Sequence, residues 1–311
     1  LTVAHIVKAL EKIGSNIRTT EAGMRVDLFQ QPPIIAAHRQ YIDQLHFILE
    51  NDAKIVKRHV DSERGDVYFV RMDVPLPSET PDVLHQRLVS DFPEHVYDHN
   101  LTHITGSKLA DLLTGDCDGI QLLFASKKGK NNISGMYGWS PINTAWLKQL
   151  EDFFRRLIRK LKLDASSAPL KILEMGAGTG GTSAGMIAML TALGVPVRYT
   201  ITDISPSLVA AARKRFRDCP FVDFRVCDIE KRPDTDLVGT QHIVFATNCV
   251  HTTRNLAAST SNIREMLKDD GFLIMLEITS LIPWIDPSFG MLEGWWLFND
   301  GRKHALTHQE L

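Results

Sequence analysis

The residues best suited to acid–base chemistry in this sequence are His251 and Glu277. An imidazole has a reference pKa of about 6.5, so a modest shift makes it a working base near neutral pH. A carboxylate bonded to its second nitrogen fixes the tautomer and stabilises the imidazolium. His251 follows the apolar run His242–Asn248 by three residues, and Glu277 closes the run Gly271–Glu277. If those runs are neighbouring parallel strands, as the fourth and fifth are in a sheet of order 3-2-1-4-5, residues just past their ends converge. The plain alternative is a helix-start histidine and a strand-end acid that only satisfy loop amides. Cys249 lies two residues before the histidine, and nothing marks it as a nucleophile; it reads as a small core residue.

A second set surrounds Leu170–Ser183, L-K-I-L-E-M-G-A-G-T-G-G-T-S. An apolar run is followed by Gly176, Gly178, Gly180 and Gly181, then by a helix-like segment. Strand, glycine turn and helix form the first half of a nucleotide-binding unit, in which the glycines let backbone approach a ligand and the helix start offers unpaired N–H groups. A dinucleotide would set its pyrophosphate there. S-adenosylmethionine would lie across the glycines with no phosphate to neutralise. Gly176-x-Gly178-x-x-Gly181 alone does not choose. Glu174 leans toward the methyl donor, because a carboxylate repels pyrophosphate but attracts an amino group or sulfonium.

Further polar residues end the later strand-like runs. Asp203 can accept from both ribose hydroxyls of an adenosine. Asp228 can accept from the adenine amine, with Ile229 packing the ring. Asn248 falls beside the methionyl end. Each has an ordinary capping or loop role as its alternative. Together with Glu174 they make one consistent donor site, whereas a dehydrogenase explains Asp203 but gives no reason for Asp228.

A parallel sheet is needed to hold these positions. The pattern predicts strands at Leu170–Met175, Arg198–Asp203, Phe221–Asp228, His242–Asn248 and Gly271–Glu277. Helices are expected at Thr182–Leu193, Ser207–Asp218 and Asn255–Lys268, with a poorly defined link through Glu230–Thr240. Strands alternating with helices argue for an α/β fold with both sheet faces covered. The preceding region reads as mainly helical: a helix over 2–14, a break at Gln31-Pro32-Pro33, and a long helix over Ala36–Val60. A strand at Asp66–Arg71 and a proline-rich loop at Pro75–Pro81 follow. Helices are then expected at Asp82–Ser90 and at Ser107–Leu113, the latter capped by Ser107. A strand at Ile120–Ala125, a polar glycine-bearing stretch at Lys127–Ser140 and a basic-faced helix at Trp146–Leu163 complete it. The segment D-A-S-S-A-P at 164–169 marks the expected division: 1–165 as a helical lid or substrate subdomain, 166–311 as the cofactor-binding core.

With 311 residues, 44% hydrophobic and 23% charged, the chain has the composition of a globular protein with one large or two ordinary domains. A formal net charge of −2 gives no support for nucleic acid as the main partner. No apolar run approaches the roughly 20 residues of a membrane span, and the first residues lack a signal-peptide pattern. Four cysteines without C-x-x-C spacing argue against a disulfide framework or a zinc site and suit a reducing, cytoplasmic setting. The start at Leu1 rather than Met reads as a piece of a longer protein.

The motifs E-M-G-A-G-T-G-G-T (Glu174–Thr182), T-D-I-S (Thr202–Ser205), C-D-I-E (Cys227–Glu230), N-C-V-H-T-T (Asn248–Thr253) and L-E-I-T (Leu276–Thr279) resemble the C-methyltransferase domain of fungal non-reducing polyketide synthases. L-E-G-W-W-L-F (Leu292–Phe298) is similar to that family too. The resemblance implies a class I, Rossmann-like methyltransferase core using S-adenosylmethionine and no metal. It implies methylation of the α-carbon of a β-ketoacyl chain held on an acyl carrier protein, among the other domains of one synthase. It also implies that His251 is the base and Glu277 its orienting partner. Tyr137, Trp139, Trp295 and Trp296 are the expected aromatic walls of the substrate pocket, with plain core packing as the alternative. The family's sheet adds two strands after the fifth, and only the 34 residues after Glu277 are there to supply them, much of Pro283–Gly301 being loop-like. Either those strands are missing or the sheet ends differently. An O-methyltransferase for a phenol or carboxylate, or a non-catalytic methyltransferase-like domain of a megasynthase, remain as alternatives; a nicotinamide-dependent reductase is disfavoured by Glu174 and Asp228.

Overall fold

The structure, a computed structural model, describes residues 1–28, 34–164 and 166–306. The expected break at Gln31–Pro33 lies outside them. Contacts divide the chain into two compact units: residues 1–133 with 281–296, and residues 134–280 with 297–311. The division thus falls near 133, not at 165. The reason lies in helix Pro141–Leu161, whose Leu150, Phe154 and Ile158 are buried in the core of the second unit.

The first unit contains helices α1 (Thr2–Lys12), α2 (Arg39–Phe47), α3 (Pro81–Asp91), α4 (Val96–Ser107) and α5 (Leu109–Thr114). Three short antiparallel strands accompany them: β1 (Arg25–Val26), β2 (Val56–Val60) and β3 (Val67–Arg71). A short helix at Ile285–Phe289 joins this unit. The long helix expected over Ala36–Val60 is therefore wrong in its second half. After a π-type turn at Ile48–Asp52 and a left-handed Lys54 (φ 55°), Val56–Val60 pairs with Val67–Arg71. Ile120–Ala125 is a helical turn at Gln121–Ala125, not a strand. Ser107 ends α4 and bonds back to Ile104 O instead of capping a new helix.

The second unit follows the expected plan closely. After α6 (Lys127–Trp139), whose residues up to Ile133 belong to the first unit, and α7 (Pro141–Leu161) come β4 (Leu170–Met175), α8 (Gly181–Leu193), β5 (Val197–Asp203) and α9 (Pro206–Arg215). They are followed by β6 (Val222–Val226), β7 (Gln241–Thr247), α10 (Leu256–Met266) and β8 (Leu267–Leu276). All neighbouring pairs in this sheet are parallel, in spatial order β6-β5-β4-β7-β8, which is the 3-2-1-4-5 order of a doubly wound fold. Helix starts carry their expected signals: Ser205 and Pro206 begin α9, and Asn255 caps α10 by accepting from Ala258 N at 2.9 Å. Gly194, at φ 61°, stops α8.

Side chains alternate across the strands. On one sheet face Ile172, Tyr199, Ile201, Ile243 and Phe245 pack with residues of α7 and α8. On the other, Leu173, Met175, Val244 and Ala246 pack with Ile263 and Met266 of α10 and with Leu237. Among the described residues no strand follows β8, and no helix is long and apolar enough to cross a membrane.

Candidate active site

The fourth and fifth strands of the sheet order, β7 and β8, are neighbours, with Thr247 beside Leu276. The chain leaves β7 through Asn248, whose left-handed φ of 50° an asparagine tolerates. The following helical turn Val250–Thr252 carries His251. Its Nδ1 lies 2.5 Å from Glu277 Oε2, and the imidazole is nearly enclosed. The other oxygen, Oε1, accepts from Val250 N at 2.8 Å and from Cys249 N at 3.2 Å. One carboxylate thus holds both the imidazole and the backbone that presents it. Such a histidine can take a proton at Nε2 while Nδ1–H stays bonded to a negative charge.

Around this pair, the Asn248 amide donates to Asn143 Oδ1 at 3.3 Å and accepts from Ile278 N at 3.1 Å. Asn143, at the start of α7, gave no sequence signal, since an asparagine near a helix start is commonplace. The Tyr137 hydroxyl is pushed up to about 12, first by burial and then by the negative charge of Glu277. Burial likewise pushes the Cys249 thiol well up, and its Sγ lies 3.3 Å from Met175 O, as expected for a packing residue.

The glycine turn lies at the end of β4. Gly176, Gly178 and Gly180 have φ of 65°, 55° and 77°, which side chains other than glycine rarely adopt. Open space surrounds the position a Cβ would take on Gly178. Gly181, the first residue of α8, lies so close to the Tyr137–Gly138 backbone that a Cβ there would stand 3.3 Å from it. Asp203 Oδ2 accepts from Gly178 N at 2.8 Å, and Oδ1 accepts from Ser205 N at 2.8 Å. A carboxylate has about four lone-pair sites, so each oxygen keeps capacity for a ligand hydroxyl. Asp228 accepts from Glu230 N at 3.0 Å and pairs with Lys231 at 3.0 Å, while Ile229 beside it is partly buried. A half-buried glycine turn whose backbone is open beside Gly178, with one carboxylate braced against it and a second one strand away, fits an adenosyl ligand.

Glu174 is placed differently from the expectation. It shares the face of Ile172 and lies fully buried beneath α8, where Ser183 Oγ and Tyr199 Oη both donate to Oε2 at 2.6 Å. Oε1 has no partner. Burial raises its carboxyl to about 7 against the lowering effect of those two bonds, with Asp203 adding to the rise. Its side chain ties the first turn of α8 to β5 from within the core. The expected aromatic walls fare unevenly. Trp139 is 73% exposed. Trp295, a buried residue of the first unit, stacks on Phe289 and donates to Asp286 Oδ1 at 3.0 Å. Trp296 donates to Gly290 O at 2.7 Å. A separate cleft of ≈ 510 Å³, lined by Lys171, Arg198, Val222 and Gln241 among others, lies at the opposite, N-terminal ends of the strands. Among the described residues no cluster of His, Cys, Asp or Glu could hold a metal ion.

A family profile described as a methyltransferase domain matches residues 173–273, the stretch from β4 into β8. The chain is 47% identical over 309 residues to the non-reducing polyketide synthase pigA of Monascus ruber, covering 99% of this chain and 11% of that protein. To the citrinin polyketide synthase of the same organism it is 46% identical over 306 residues, covering 98% and 11%. The chain thus spans about a ninth of the length of these relatives. Among solved structures, the CMeT domain of the citrinin polyketide synthase superimposes with a TM-score of 0.91 at 46% identity, covering 98% of this chain and 78% of that one. The CurJ carbon methyltransferase gives 0.84 at 25% identity, covering 99% and 80%. The parallel sheet is accordingly the Rossmann-like core of an S-adenosylmethionine-dependent methyltransferase, and the chain belongs to the family of C-methyltransferase domains of fungal non-reducing polyketide synthases.

Proposed function

We propose that this domain methylates the α-carbon of a β-ketoacyl chain delivered as a thioester on an acyl carrier protein, with His251 as the base and Glu277 as its orienting partner. The observation that carries the reading is the 2.5 Å His251–Glu277 contact at the ends of adjacent strands, beside the glycine turn. S-adenosylmethionine, when bound, supplies the methyl group that the carbon nucleophile takes up. Gly176–Gly181 and Asp203 bind its nucleoside, with Asp228 and Ile229 toward the base and Asn248 toward the methionyl end. An α-carbon flanked by ketone and thioester is acidic enough for an imidazole to deprotonate. The proton passes to Nε2, and the carboxylate of Glu277 balances the imidazolium charge. The enclosed imidazole limits water around that transfer. The helical first unit serves the acceptor side, and neighbouring domains of the synthase supply the carrier-bound chain.

The test is incubation with methyl-labelled donor and a panel of β-ketoacyl thioesters, locating the label by mass spectrometry and NMR. Label on the α-carbon is expected. Label on oxygen identifies an O-methyltransferase, and donor binding without transfer to any acceptor identifies a non-catalytic binding domain.

A further inference from the structure

The turn that carries His251 is gripped from a second side by residues far away in the chain. Arg302, whose side chain is completely buried, donates from Nη1 to His251 O at 2.9 Å and from Nη2 to Thr253 O at 2.6 Å. Its Nε bonds Asp300 Oδ1 at 2.8 Å, and its guanidinium lies 5.3 Å from the centre of the Phe298 ring. The second oxygen of Asp300 accepts from Leu256 N at 2.9 Å, at the start of α10. Asn299 N adds a bond to Arg254 O at 2.8 Å. Residues 298–302 are thus laced to 251–256 by a planar fork, a carboxylate and a backbone bond.

Burying a guanidinium is expensive, and a buried ion pair by itself is weak evidence of stabilisation. What it provides here is geometry. A guanidinium is rigid and directs its donors along fixed lines, so it sets the spacing of the His251 and Thr253 carbonyls relative to Asp300. A lysine places one compact charge there and cannot span all three acceptors. Glu277 holds the turn at Cys249 and Val250, and Arg302 holds it at His251 and Thr253. Between the two clamps the imidazole has little freedom to leave its carboxylate.

We propose that Arg302, oriented by Asp300, is a positioning residue that keeps the His251 imidazole on Glu277. This rests on the reading of His251 as the base. A misplacement of about 1 Å can cost roughly 10²-fold in rate. The test compares wild type with Arg302→Lys and Asp300→Asn, two variants because either one alone may fold poorly. The first readout is exchange of the α-hydrogen of a short β-ketothioester with solvent deuterium, in the presence of S-adenosylhomocysteine. The expected result is a 10- to 100-fold lower rate at saturating thioester, with thioester KM and S-adenosylhomocysteine affinity nearly unchanged. The second readout needs no activity: the Nδ1 proton resonance of His251, displaced downfield by the carboxylate, should broaden or move upfield in both variants. A folded Arg302→Lys protein with wild-type exchange and an unchanged resonance overturns the proposal. If wild type itself exchanges nothing, the base assignment fails, and the resonance alone still decides whether Arg302 positions the imidazole.

Discussion

Glu174 and Glu277 make an instructive pair, because both sit at the C-terminal ends of strands in one parallel sheet. Glu174 is the penultimate residue of β4, and its side chain falls on the face covered by α8. Sealed from water, its carboxyl is raised to about 7, with one oxygen unpartnered. Glu277 is one residue past the end of β8, where the chain has left the sheet. There it gathers two backbone N–H groups and an imidazole. Strand ends collect polar residues of both kinds, and the side on which the side chain emerges decides whether it is sealed in the core or left to hold a turn and an imidazole.

The largest expected effect lies at the second glutamate's partner. His251→Ala should lower methyl transfer by about 10²- to 10⁴-fold, the usual share of a general base, with S-adenosylhomocysteine binding nearly intact. Background enolisation is subtracted with an enzyme-free control. Glu277→Gln should cost less than loss of the histidine but still clearly reduce turnover, since tautomer and orientation are disturbed while the imidazole remains. Should the two glutamates prove equivalent in kcat when each is changed to glutamine, the contrast drawn above is broken. Asp203→Ala should weaken S-adenosylhomocysteine binding by roughly 1.5–3 kcal/mol, measured calorimetrically. Unchanged affinity in a folded variant removes Asp203 from the donor site.

Glu174→Gln should show the smallest effect on turnover and a distinctive effect on stability. A carboxyl raised in the folded state is protonated there while already ionised in the unfolded chain, between its usual value of 4.5 and about 7. In that window the folded state binds more protons, so its stability falls as pH rises. Wild type should therefore lose stability from pH 5 to pH 8 relative to Glu174→Gln, whose amide stays neutral throughout. Parallel urea titrations of the two proteins at both pH values check this, and identical pH dependence would refute the burial argument.

Much of the second unit can be read from sequence because parallel strands advertise themselves as short apolar runs between helical segments. The convergence of His251 and Glu277 follows from the sheet order alone. The face on which Glu174 emerges does not, because a central strand is apolar on both sides and gives no sign of its phase. In the first unit, Ile42, Leu45, Leu49, Val56 and Val60 fit one helical stripe, yet Val56–Val60 is a strand. A shared apolar period conceals the change of structure after Lys54. Arg302 is invisible for another reason: its partners lie some fifty residues upstream, and no local pattern records them.

Asn248 has a consequence for anyone who would exchange parts between relatives. Its amide offers a donor to Asn143 and an acceptor to Ile278 N, on a backbone twisted into the left-handed region. Aspartate tolerates the twist but has no donor for Asn143 Oδ1, and glycine relaxes the twist but has no side chain. Residues 143 and 248 therefore form a matched pair drawn from two distant stretches of chain, position 278 lending only its backbone N–H, and a graft that imports one of the pair alone imports a mismatch. Domain swaps intended to alter what this fold accepts should move the two asparagines together.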